Sequence, residues 1–181
     1  MATLRTPDPN PGWLSELALD ETRSRVPILY VEAVPVRVDA HGRVEHVGLL
    51  LRASASGSIT RSLVSGRVFH GESLRDALMR NLEKDLGPTA FPQLPAAVTP
   101  CTVAEYFPLP GVTPLHDPRQ HAVSLVYVVP VTGDCDPRQD ALELSWLTPE
   151  EAVHPRVAEE LEGGRGLLVR QALAHVGALP A

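Results

Sequence analysis

The sequence predicts an α/β sandwich on a mixed sheet, and three observations carry that prediction. Two β-branched runs flank a turn-type tetrapeptide near the start, one helix is bounded at both ends by its own signals, and strands fill the first two thirds while helices close the chain. At 181 residues the chain has the length of one domain with a real core.

Taken in order, residues 1–12 are rich in proline and read as loose, and Trp13 to Leu19 reads as one short helix. Residues 1–25 thus form an N-terminal segment, and 26–181 the domain proper. Ile28 to Val38 and Arg43 to Arg52 read as a hairpin around Asp39-Ala-His-Gly42, whose glycine suits a positive φ. Ser58 to Val68 reads as a third strand. Ser73 with Asp76 three residues on, and Gly87-Pro88 at the other end, bound a helix over Ser73 to Leu86. Strands are expected at Thr99 to Phe107, Ala122 to Val131 and Ala141 to Trp146. A short helix at Pro149 to Val153 follows, then a terminal helix over Pro155 to Val176 broken at Gly163-Gly164-Arg165-Gly166. Asp117-Pro-Arg-Gln120 recurs as Asp136-Pro-Arg-Gln139, which reads as two Asp-Pro turns.

A net charge of −6 and a pI near 5.6 give no basic footprint for nucleic acid, and no stretch nears the roughly 18 apolar residues of a membrane span. Two cysteines, Cys101 and Cys135, make no disulfide framework. With no apolar secretion segment at the N-terminus, a cytoplasmic location is expected, with a small molecule or a protein as partner.

The chemistry concentrates between Gly66 and Pro88. Gly66, Glu72, Arg80, Leu82, Asp85 and Gly87 stand in an unbroken register that resembles the box of the Nudix pyrophosphohydrolases, G-x5-E-x7-R-E-U-x-E-E-x-G-U with U aliphatic. Leu144-Ser145-Trp146 and the following Leu-Thr-Pro-Glu-Glu-Ala resemble the strand and short helix that come later in such domains. The chain is similar to an uncharacterised Nudix-like branch with a degenerate box, and the resemblance implies a Nudix-type α/β/α sandwich with a mixed β-sheet. It also implies Mg²⁺ held by box carboxylates. Here Asn81 and Lys84 replace two of them, and Lys84 is the only lysine in the chain.

At about 100° per residue Asn81, Lys84 and Asp85 point into one space, edging a stripe of Leu74, Leu78, Leu82 and Leu86. Glu83 lies about 160° round the helix from Asp85 and reads as a solvated charge. A hard divalent cation needs several anionic oxygens, so an amide and an ammonium in two of three places should weaken Mg²⁺ binding sharply. Three readings stand. The first is a binder of a phosphorylated or nucleotide-like ligand with weak or no hydrolysis, using Arg80, Lys84, Asn81, Arg67, His70, Arg119 and His121. The second is an active pyrophosphohydrolase of nucleoside diphosphate derivatives. In it Glu72 and Asp85 serve as catalytic and metal residues, joined by a downstream acid such as Glu105 or Glu143. The third is a protein-interaction domain, a homodimer through the N-terminal segment or a sheet edge.

Two further groupings stand beside the box. His116-Asp-Pro-Arg-Gln-His121 reads either as a pocket lining or as a polar turn, and Tyr106 and Phe107 either as a stacking surface for a base or as core.

Overall fold

The computed structural model describes residues 13–53, 57–137 and 141–181. The proline-rich stretch 1–12 and the second half of the repeated Asp136-Pro-Arg-Gln139 turn therefore lie outside the described residues. A helix α1 (Glu16–Arg23) precedes the sheet strands β1 (Ile28–Val38), β2 (Val44–Ala53), β3 (Ile59–Ser62) and β4 (Val64–Arg67). The box helix α2 (Leu74–Leu86) is followed by β5 (Thr102–Tyr106), β6 (Ala122–Pro130) and β7 (Ala141–Leu147). Helices α3 (Pro149–Ala152) and α4 (Pro155–Glu160), a 3-10 turn at Glu162–Gly164 and α5 (Gly166–His175) close the chain.

β1 organises the sheet. It runs parallel to β6 from Ile28 to Val36, and β6 in turn carries β5 antiparallel. On its other edge β1 has two partners in succession, β4 against Tyr30 to Ala33 and β2 against Val36 to Val38. β2 then leaves β1, and its second half lies between β3 and β7.

That splay corrects the expectation of one strand over Ser58 to Val68. The segment breaks at buried Leu63, because its first half pairs with β2 and its second with β1. Two other elements are also displaced. The first helix starts at Glu16, where the Ser15 hydroxyl accepts from the Ala18 N–H, and so lies later than Trp13 to Leu19. The strand expected from Thr99 begins at Thr102, where regular pairing with Val126 starts.

Alternate residues of β1 serve two cores, as a period of two requires. Val31 and Ala33 face α2, packing with Leu78, Leu82 and Leu86, and Leu74 is partly buried at the edge of that core. Val34 and Val36 face the other way, with Leu168, Val169 and Leu173 of α5. The result is the α/β/α sandwich, helices covering both faces of a mixed sheet. Each fully buried leucine of α2 contributes on the order of 2 kcal/mol, which fixes the rotation of the helix and so the direction in which its polar edge points.

The helix is closed as its sequence predicts. The Ser73 hydroxyl accepts from the Asp76 N–H, and Gly87 takes φ 87° as its N–H reaches the Glu83 carbonyl. No helix among the described residues is long and apolar enough to cross a membrane.

Candidate functional site

The rotation of α2 places Asn81 and Asp85 against the sheet, fully buried, and leaves Lys84 half-buried at the rim and Glu83 exposed. Asn81 sits where β4 comes closest. A Cβ on Gly66 would run into the Asn81 amide, so the close approach of β4 to this side chain calls for the box glycine. The amide nitrogen donates back to the Ala77 carbonyl at 2.8 Å, and its oxygen has no hydrogen-bond partner.

Asp85 is enclosed by two cations. Arg52, from the end of β2, brings Nη2 to 3.1 Å from Oδ1, and the Lys84 Nζ stands 3.5 Å from the same oxygen. Neither contact has the alignment of a hydrogen bond, and both carboxylate oxygens lack one. Arg52 spends its Nε on the Ser62 hydroxyl at 2.8 Å, and Lys84 donates to the Ser65 carbonyl at 3.0 Å. Burial pushes the Lys84 ammonium below its usual range; Asp85 pulls it back up, while Arg52 and Arg80 push it further down.

Glu72 is held separately. Arg80 grips it through two hydrogen bonds of 2.6 and 2.8 Å, and the Phe69 N–H donates to it at 2.9 Å. The Arg80 bond, more than any other influence, holds the Glu72 carboxyl below the usual glutamate range. Arg80 also donates to the Arg67 carbonyl and lies over the Phe69 ring, 3.8 Å from its centroid. The Arg67 guanidinium approaches the same ring at 5.3 Å and has no ion pair among the described residues.

The other expected residues lie elsewhere. Glu105 and Glu143 do not converge on the box: Glu105 is on β5, 3.8 Å from the His121 ring, and Glu143 is on β7 opposite Leu51. Among the described residues no three His, Cys, Asp or Glu side chains gather closely enough to hold a metal ion. His70 is exposed on the loop before α2. Arg119 is bound to Asp117 within the predicted Asp-Pro turn, whose Arg119 N–H also bonds the Asp117 side chain. His121 stacks on Phe107, with centroids 4.4 Å apart. Tyr106 is buried and gives its hydroxyl to Glu32 at 2.8 Å, so it offers no stacking face to a ligand.

Sequence reasoning missed Arg52, and it missed a second buried acid. Glu32 receives Arg165 at 2.7 Å beside the Tyr106 hydroxyl, on the sheet face opposite α2. A charged residue inside the apolar run of β1 was the available signal for Glu32. Arg52 gave none, since only the splay of β2 brings it to α2.

A family model described as a domain of unknown function (DUF4916) matches residues 9–178. The chain belongs to this family. Solved structures described as Nudix hydrolases share its fold. The crystal structure of a possible asymmetric diadenosine tetraphosphate (Ap4A) hydrolase from Jonesia denitrificans is 61% identical, covers 87% of this chain and 99% of its own, and has a TM-score of 0.84. Two more distant structures share the fold. The C. elegans Ap4A hydrolase in a binary complex has 16% identity, coverage of 84% and 99%, and a TM-score of 0.59. The MutT protein of Methanosarcina mazei Go1 has 18% identity, coverage of 82% and 94%, and a TM-score of 0.59. No curated protein matches the sequence.

Proposed function

We propose that this member of the DUF4916 family binds the phosphate groups of a nucleotide-like ligand through the cations of its box, without a divalent metal and with weak or no hydrolysis. Residues 26–181 form the binding domain, and Lys84, Arg80 and Arg67 the anion-facing groups. The observation that carries the reading is the double claim on Asp85, by Arg52 at 3.1 Å and Lys84 at 3.5 Å.

A divalent cation does not fit that donor set. At about 4 Å and an effective dielectric near 20, a doubly charged ion is repelled by each neighbouring cation by roughly 8 kcal/mol. One carboxylate offsets only one of the two repulsions, and the Asn81 amide adds no charge. The same arrangement suits an anion. Arg52, Lys84 and Arg80 set three positive charges against Asp85 and Glu72, and Lys84 can point a further N–H outward beyond Ser65. The Ap4A hydrolases among the structural relatives support a nucleotide-like ligand.

Calorimetry in EDTA tests the reading. Inorganic tripolyphosphate is expected to bind the wild-type chain, and Lys84→Ala to weaken it at least about tenfold, the loss of one charge-assisted contact. Mg²⁺ alone should bind only after Asn81→Glu and Lys84→Glu are made together. Tight Mg²⁺ binding by the wild type, with metal-dependent cleavage of diadenosine tetraphosphate, would establish an active pyrophosphohydrolase instead.

A further inference from the structure

The N-terminal segment carries an aromatic group into this site. Trp13 is 64% exposed, yet its ring lies against Phe69 of the box loop, centroids 5.1 Å apart and planes tilted by 48°. Phe69 is the ring on which Arg80 and Arg67 converge. An indole, a phenyl ring and two guanidinium groups therefore stand together, with Lys84 one turn of α2 beyond Arg80. α1, which follows Trp13, is tied down at its far end, where the Arg23 Nε donates to the Gln120 Oε1 at 2.8 Å. Phe69 covers part of the indole and leaves the rest open to solvent, so a flat π-face stands free next to the ring that carries the two guanidinium groups.

We propose that Trp13 is the stacking platform for the base of a nucleoside polyphosphate whose phosphates run over Arg67 and Arg80 toward Lys84. The proposal rests on the phosphate-binding reading above and adds the class of ligand. The physical case is charge and shape in sequence. A base stacks on any flat π-face, and the phosphates attached to it then lie over Arg67, a guanidinium with no ion pair among the described residues. The base itself needs no hydrogen bond, so the platform discriminates nucleotides from plain polyphosphate more than one base from another.

The test compares ATP with inorganic tripolyphosphate, which has no base, by calorimetry in EDTA on the full chain. It is repeated on Trp13→Ala and Trp13→Phe. Trp146, the other tryptophan, is replaced by phenylalanine in a parallel preparation so that emission reports Trp13 alone. ATP is expected to bind about tenfold tighter than tripolyphosphate. It should quench Trp13, fall to the tripolyphosphate affinity in Trp13→Ala, and keep most of its advantage in Trp13→Phe. Equal affinities for the two ligands in the wild type would overturn the platform and leave the phosphate reading standing. Binding of neither would overturn both. Emission that changes with protein concentration and not with ATP would assign the exposed indole to a second copy of the chain, and so overturn the platform as well.

Discussion

Two buried carboxylates sit on opposite faces of the same sheet, and they are neutralised in different ways. Glu32 accepts the Arg165 Nε at 2.7 Å and the Tyr106 hydroxyl at 2.8 Å, both aligned hydrogen bonds. Asp85 has two cations near one oxygen, at 3.1 and 3.5 Å, and no aligned hydrogen bond at all. Glu32 has one cation for its one charge and complete bonding, whereas Asp85 has two cations and no aligned bond. A saturated pair is a fixed part of the fold, whereas a cation that is near but unaligned can turn toward another anion at small cost. On the Glu32 side, burial and then the Glu32 charge push the Tyr106 phenol up.

The widest separation between the two regions is expected from removing the arginine of each. Arg165→Ala leaves Glu32 buried with only a phenol, and should cost about 3–5 kcal/mol in urea denaturation. Arg52→Ala leaves Lys84 beside Asp85, and should cost about 1–2 kcal/mol. Equal losses would erase the contrast and make Asp85 as structural as Glu32.

Contact with Asn81 offers a smaller and more local break. Gly66→Ala drives a methyl group into the terminal amide of the fully buried Asn81, and about 2 kcal/mol should be lost. Asn81→Ala in the same chain should return most of it, a coupling measurable as a double-mutant cycle. On the opposite face, Tyr106→Phe removes one of the two bonds to Glu32 and should cost about 1.5 kcal/mol. A loss near zero there would mean that Arg165 alone satisfies the acid.

The sequence made one of these regions legible and hid the other. The register from Gly66 to Gly87 and the leucine period of α2 were enough to direct Asn81, Lys84 and Asp85 into one space, because the geometry of a single helix fixes it. What Asp85 meets there depends on where β2 goes after it leaves β1, and Arg52 therefore could not be read from spacing. Glu32 and Arg165 are 133 residues apart, joined only when β1 and the start of α5 meet across the sheet. The break at Leu63 was hidden for the same reason: the segment is uniformly strand-like, and only a change of partner divides it. Glu105 and Glu143 were plausible by residue type alone, and strand register sends them elsewhere.

The smallest expected effect is a titration on the saturated side. Asp117 lies beside the Glu32 pair; burial works to raise its pKa, but the Arg119 side chain and N–H, together with Gln120, outweigh it and hold the carboxyl below its usual range. A carboxyl depressed in the folded state adds stability that is complete above its unfolded value, about 3.9, and is lost as pH falls through the folded value. Arg119 is largely exposed, so the pair should be worth only about 1 kcal/mol at neutral pH. Asp117→Asn should therefore lower stability by that amount at pH 7, and by the same amount at pH 5. Below about pH 3.9 the wild type and the variant should converge as the carboxyl protonates. Paired denaturation curves across that range isolate Asp117 from the other acids, since those titrate alike in both proteins. A difference that stayed constant down to pH 2 would show that the Asp117 carboxylate acts as a hydrogen-bonded turn residue and not through its charge.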